Sequence, residues 1–367
     1  MARLMLVVWV TLTLAAVVHA QPASDIQTVR NQIQSLQDQL KAALQRLDEL
    51  EKKQAAPAPA PKPSWPDTLK VGGYFQARYE ARRGTVDDFL FRRMYITLLA
   101  TPNSRTTGLV TLRRTGLATD PAIDFEAAQV DYKIDNQWTA RFGQVMTNWG
   151  WDGAESSSKR IPLDRFVGVE GIAARTGRPG INGMYFRGPS DRGMYIVRNP
   201  QRREEPMVTL GLVNGNFTAS DNDNNKTYSV DLKWQKRWGS YGASWMDGKY
   251  LYQPPGTPAP PMVDTDRQGL NLWAHSDPAP WGFQTEYVKG KLAGNSPTKT
   301  NATNMNGWYG QVAYNRGTGT PFLRYEILDP DTAATGDTYS GWHIGCAYQP
   351  DRNNKLTLEY ADAGRGP

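Results

Sequence analysis

The amino-acid sequence predicts an all-β protein, a transmembrane antiparallel β-barrel of about 14–16 strands, preceded by an N-terminal α-helical coiled coil. Helix-period patterning is confined to the stretch from Ile26 to Leu50. Beyond Asp67, period-two runs separated by turn residues continue to the end. Tyr and Trp recur near the ends of the apolar sets, at Tyr79, Tyr132, Trp138, Tyr228, Trp234, Tyr241, Trp245, Tyr348 and Tyr360, while the alternate positions are mostly charged or glycine. A soluble sandwich fills its apolar face with Val, Ile and Leu; aromatic residues at strand ends are what the two interfacial girdles of a membrane barrel require.

The chain divides into residues 1–20, 21–54, 55–67 and 68–367. In the first part Arg3 precedes an apolar run from Leu4 to Val18, and Val18-His19-Ala20 offers a small-residue cleavage site before Gln21. That is a secretory signal peptide, since the run is shorter than the ~20 apolar residues of a spanning helix. In the second, Ile26, Val29, Ile33, Leu36, Leu40, Ala43, Leu47 and Leu50 step by three and four with charged and amide residues between them. Heptads of this kind read as a parallel coiled coil, and the mixed core leaves dimer and trimer both open. The third, AAPAPAPKPSWP at 55–66, excludes helix and favours an extended spacer.

The hairpin from Asp124 to Trp151 shows the barrel pattern most completely. Ala128, Val130, Tyr132 and Ile134 alternate with Gln129, Asp131 and Lys133, and Trp138, Ala140 and Phe142 alternate with Thr139, Arg141 and Gly143. A three-residue turn at 135–137 sets Val130 against Phe142, Tyr132 against Ala140 and Asp131 against Arg141, so one face is apolar and the other charged. The run from Leu69 to Arg82 exceeds a usual soluble strand and matches the ~9–11 residues of a membrane strand with some overhang. Further runs follow around residues 228–245, 323–327, 342–348 and 356–360. Short connections at 135–137 and 236–239 contrast with long ones at 146–181, 217–226, 252–267 and 292–305, the asymmetry of periplasmic turns and outer loops.

Catalytic chemistry finds no foothold. The mature chain keeps His275 and His343, far apart, with Cys346 as the only cysteine, so zinc spacing, Cys–His pairing and intramolecular disulfides are excluded. Nucleophile-elbow, P-loop and dinucleotide fingerprints are lacking, and the chain is read as a non-enzyme without cofactor. The formal net charge of +6 and sequence pI near 9.2 permit anionic partners without requiring them. Candidate pore-lining residues are Lys70, Arg78, Arg82, Arg93, Arg113, Asp131 and Arg141, with Lys159, Arg160 and Arg165 in the long 146–181 segment. Basic rings select anions in pores; against that, Glu80, Asp131, Asp231, Glu286, Glu326 and Glu359 share the polar face, and mixed signs are ordinary charge balance in a wet lumen. Of the pair Arg92-Arg93, alternation sends Arg93 inward and leaves Arg92 at the rim.

GYFQARYE at 73–80, FLFRRMYITLLA at 89–100, AAQVDYKIDNQWTARFGQVMTNWG at 127–150, LDRFVG at 163–168 and GLVNGN at 211–216 resemble the phosphate-selective porin O and P family. The resemblance implies a sixteen-stranded homotrimeric outer-membrane barrel whose third loop, here 146–170, folds inward as the constriction. In that family arginines line the route and lysines bind phosphate or polyphosphate; in this loop Lys159 and Arg160 are the only basic neighbours that could stand in for them. Such barrels finish on an aromatic residue, whereas this sequence finishes Ala-Gly-Arg-Gly-Pro367. The alternatives are a further strand beyond it, or closure by the strand around Leu356–Tyr360 with a tail.

The resulting expectation is a bacterial outer-membrane porin for passive diffusion of small hydrophilic solutes with an anion bias, phosphate-type anions included. Its partners are outer-membrane lipid, anionic or neutral solutes and two further copies of itself. The coiled coil lies in the periplasm, where it fixes the trimer or reaches the cell wall, and nucleic acid is not a partner. The rivals are an exported aromatic-rich β-sandwich binding module on a coiled-coil stalk and a polysaccharide hydrolase, for which no carboxylate pair is marked out.

Overall fold

The structure is a computed structural model that describes residues 34–35, 37–46, 68–81, 87–115, 123–147, 149–171, 183–184, 190–216, 221, 223–254, 261–277, 279–293 and 301–365. The signal peptide, the Ala/Pro spacer, Arg82 and the coiled-coil positions outside 34–35 and 37–46 lie outside them. The chain forms two compact units, Met1–Pro63 and Ser64–Pro367. In the first, residues 37–46 are helical and exposed, including the seam residue Leu40 at 48%.

The described residues of the second unit form a fifteen-stranded sheet in which every strand pairs with its sequence neighbours. Its early strands are β1 Leu69–Glu80, β2 Asp88–Ala100, β3 Thr106–Thr115, β4 Asp124–Lys133 and β5 Trp138–Met146. The middle strands are β6 Ser190–Arg198, β7 Met207–Val213, β8 Thr227–Gln235, β9 Ser240–Tyr252 and β10 Val263–His275. The last are β11 Trp281–Leu292, β12 Thr303–Tyr314, β13 Gly319–Asp329, β14 Tyr339–Tyr348 and β15 Leu356–Arg365. Among the described residues of the connection between β5 and β6 lie two short helices, α1 Trp151–Ala154 and α2 Val167–Glu170.

All pairings are antiparallel. In β4–β5, Val130 faces Phe142, Asp131 faces Arg141 and Tyr132 faces Ala140, the register the apolar pattern requires. Connections at one end are short, as at 134–137, 236–239 and 315–318; the other end carries 147–189, 214–226, 253–262 and 293–302. Two long connections are tighter than alternation suggests, because β10 starts at Val263 and β12 at Thr303.

Burial is inverted relative to a soluble protein. The outward residues are the large apolar ones: Phe75, Val130, Phe142, Leu210, Trp245, Leu272, Trp308, Leu323, Ile344 and Leu358 are all exposed. The inward residues of the same strands include fully buried charges, among them Arg267, Glu286, Arg324 and Glu326. An apolar belt this continuous is not water-facing surface in a stable soluble domain. Aromatic pairs cluster beside the short turns, with Trp234 on Tyr241 at 5.3 Å and Trp281 on Tyr314 at 4.7 Å between ring centroids.

The alternation fails at one informative place. The β1–β2 register shifts between Gln76 and Ala77, which oppose Arg93 and Phe91. Arg92 is the extra residue of this bulge, and a bulge re-aims a side chain that strict alternation would send the other way. Arg92 therefore does not sit at the rim; its guanidinium reaches 3.7 Å from both Asp164 and Glu170 on the inward side.

Candidate functional site

The segment 149–171 folds against the inner face of the sheet. Its start needs glycine: Gly150 has φ of +75°, and a Cβ there would collide with Glu286 Oε1 and Asn271 Nδ2. The Gly150 amide donates to Ser244 Oγ at 3.0 Å. Trp149, Phe166, Val167 and Val169 are then buried against Met246, Tyr250, Val288, Leu292, Tyr309 and Leu328 of β9 and β11–β13. Burying each such side chain supplies roughly 1.5–3 kcal/mol, which is what draws an otherwise polar segment off the rim.

Wall carboxylates hold the segment's backbone. Glu286 Oε2 accepts from the Asp152 amide at 2.9 Å, Glu359 Oε2 from Leu163 at 2.7 Å and Glu326 Oε2 from Val167 at 3.3 Å. The Asp152 carboxylate in turn accepts from the Phe166 amide and lies 3.4 Å from Arg324 Nη2. On the other side the charges are reversed. Arg78 Nη2 lies 2.9 Å from Asp164 Oδ2, and Arg93 Nη2 lies 3.2 Å from Glu170 Oε1.

Leu163 and Asp164 are consecutive, so their Cα atoms lie about 3.8 Å apart, yet one is held by β15 and the other by β1. The sheet has therefore curled until its first and last strands flank the same point of the segment. At the short-turn end, Lys355 Nζ donates to the Ser158 and Arg160 carbonyls, both at 2.7 Å. The segment thus leaves the long-loop end and reaches towards the opposite one.

Electrostatics follow from this packing. Burial pushes the Glu170 carboxyl up, but Arg93, Arg165 and Arg92 outweigh it and hold the group at about 2. Partial desolvation at the ammonium, then the charge of Arg160, brings the otherwise exposed Lys355 down to about 8 against the pull of Glu155. Burial, then Arg165, lowers the Arg160 guanidinium to about 9, so it stays charged at neutral pH. Arg160 is 4% exposed; it donates to Ser157 Oγ at 2.6 Å, and its Nε and Nη1 have no hydrogen-bond partner among the described residues.

Of the residues singled out in the sequence, Arg78, Arg93, Arg160 and Arg165 come together around the segment. Arg113 and Arg141 pair within the wall: Arg113 with Glu126, and Arg141 with Asp131 through two 2.8 Å hydrogen bonds. Lys70 and Lys159 are exposed. Pattern reading missed the acidic side of the segment, Asp152, Asp164 and Glu170, and the role of His343. Asp164 is adjacent to Arg165 in LDRFVG, but adjacency does not say that each charge answers a different wall.

Comparison with known proteins bears on this geometry directly. Daunomycin-bound OmpF from Salmonella typhi superposes with TM-score 0.58 at 12% identity, over 80% of this chain and 89% of that one. The trimer form of OmpT from Vibrio cholerae, an outer membrane protein, gives 0.57 at 11% over 81% and 89%. The fold is that of the outer-membrane porins. An anion-selective porin from Comamonas acidovorans gives 0.56 at 13% over 80% and 88%. No family model and no curated sequence matches the chain.

Proposed function

We propose that this protein is an outer-membrane channel for passive diffusion of small hydrophilic solutes, with 149–171 as its constriction and a bias towards anions. The observation that carries the reading is the pairing of an apolar outward face with a charged interior partly filled by a segment tied to both sheet edges. A β-sandwich would bury the apolar face and leave the charged one in water; the exposures here are the reverse.

Most interior arginines supply no free charge, being neutralised by Asp131, Glu126, Asp164, Glu170 or Asp191. Arg160 differs: a buried guanidinium with two unsatisfied nitrogens and no carboxylate within ion-pair distance among the described residues. A buried charge left unpaired favours a counter-ion, and exposed Lys159 beside it adds to a local positive field. Phosphate-type oxyanions suit this donor set, and a porin from Comamonas acidovorans described as anion-selective shares the fold. The trimer, and a periplasmic coiled coil that fixes it or contacts the cell wall, complete the proposal.

Purified, detergent-extracted protein in planar bilayers tests it. Expected are discrete conductance steps, an anion-biased reversal potential in a chloride gradient, and partial block of chloride current by added phosphate. Arg160→Gln should lose much of the bias with little change in step size. Protein that is soluble without detergent and forms no channels would overturn the reading.

A further inference from the structure

The inner face of β13–β15 carries a histidine held in an unusual way. His343, on β14 and 3% exposed, has Nε2 3.0 Å from Glu326 Oε1 on β13 and Nδ1 2.7 Å from Glu359 Oε1 on β15. The second oxygen of each carboxylate is turned to the constriction segment, Glu326 Oε2 to the Val167 amide and Glu359 Oε2 to the Leu163 amide. One imidazole therefore spans the two acceptors that hold both flanks of the LDRFVG stretch.

A neutral imidazole has one donor and one lone pair. With both ring nitrogens on carboxylate oxygens, the arrangement is satisfied when His343 is the doubly protonated cation, donating on both sides. Loss of that proton turns a lone pair towards a carboxylate, which repels it and frees that carboxylate to swing away from its backbone amide. The other charges facing this group come from each neighbouring element: Arg324, across from His343 on β13, with Nε 3.5 Å from Glu326 Oε2, and Asp152 of α1, which Arg324 also contacts. Arg324 stays bound to Glu326 in either state, so the Glu359 side is the one that lets go.

We infer that His343 is the positioning residue of the constriction, a protonated bridge between Glu326 and Glu359 that fixes residues 163–167 against β13–β15 and releases the Leu163 side when it is neutralised. The inference rests on reading 149–171 as the constriction of a channel, but the latch itself is a property of the folded chain and is readable without one.

Backbone hydrogen exchange on the full protein in detergent tests it, comparing wild type with His343→Gln, His343→Lys and Glu359→Gln at pH 7, and wild type from pH 6 to 10 after correction for intrinsic rates. Expected is at least tenfold faster exchange across 163–167 in His343→Gln, with β6–β8 unchanged, restoration towards wild type in His343→Lys, and a similar loss confined to Leu163 in Glu359→Gln. Wild-type exchange there should accelerate on the alkaline side while His343→Gln stays flat. If His343→Gln does not fold, Glu359→Gln and the wild-type pH series carry the same contrast. Unchanged protection of Leu163 in the variants, or a wild-type pH profile no steeper than that of β6–β8, would overturn the latch. Absence of channels in bilayers with the exchange pattern as expected would instead sink the porin reading and leave the latch standing.

Discussion

The two walls that meet segment 149–171 hold it by opposite means. On β1–β2 the wall is basic and grips side chains: Arg78 on Asp164, Arg93 on Glu170, with Arg92 added by the bulge. On β11–β15 buried carboxylates grip the backbone, at the amides of Asp152, Leu163 and Val167, and Arg324 adds a contact to the Asp152 carboxylate. The side-chain grip is partly open, with Asp164 and Glu170 at 14% and 18% side-chain exposure, whereas Glu286 and Glu326 are at 0%. Charge pairs between side chains can be screened, titrated or deleted from either partner. A backbone amide held by a buried carboxylate can be lost only from the wall.

The largest test of this contrast removes the apolar packing behind the acidic wall. Phe166→Ala should cost about 3–5 kcal/mol of docking, seen as a larger and noisier single-channel conductance. Gly150→Ala should act in the same direction, because its Cβ would collide with Glu286 and Asn271.

Next comes Glu286→Gln, which keeps an acceptor for the Asp152 amide but removes the charge. Hydrogen bonds to charged groups are worth ~1.5–3 kcal/mol, so conductance noise should rise by less than in Phe166→Ala and should persist in 1 M salt.

On the basic wall the effects are smaller and depend on conditions. Arg93→Gln should loosen α2 mildly at low ionic strength, and the difference from wild type should shrink near 1 M salt, where the screening length falls to about 3 Å. The sign of the pH effect follows from Glu170: its carboxyl is held low, so its contribution is complete above the ordinary range near 4.5 and is lost as pH falls towards about 2. An acid titration of open-channel noise should therefore show a wild-type transition between those limits that is shifted upward in Arg93→Gln.

The smallest effect is expected from Asp131→Asn, since the Asp131–Arg141 pair is partly exposed and belongs to the wall alone. Stability should move by under about 1 kcal/mol, while the freed Arg141 should make the reversal potential slightly more anionic.

Much of this was legible in the residues. Alternation in 124–151 gave the hairpin with its register, because a one-residue slip would reverse both faces at once. It also gave the inward set Glu286, Glu326 and Glu359. It misplaced the starts of β10 and β12, where outward positions such as Asp264, Asp266, Asn304 and Asn306 are polar. Near the long loops the outward face leaves the apolar belt, and the signal that marks a strand fades although the hydrogen bonding continues.

The sequence by itself determined the two-faced strands, their order and the identity of the charges between them, since period-two patterning is a local property carried by neighbouring residues. Beyond the hairpin pair Asp131–Arg141, only the tertiary structure decided which charges meet. A bulge turned Arg92 inward, the curl of the sheet brought β1 and β15 to consecutive residues of one segment, and His343 found two glutamates from flanking strands. Those are contacts between residues separated by up to 196 positions in the chain, and no local period encodes them.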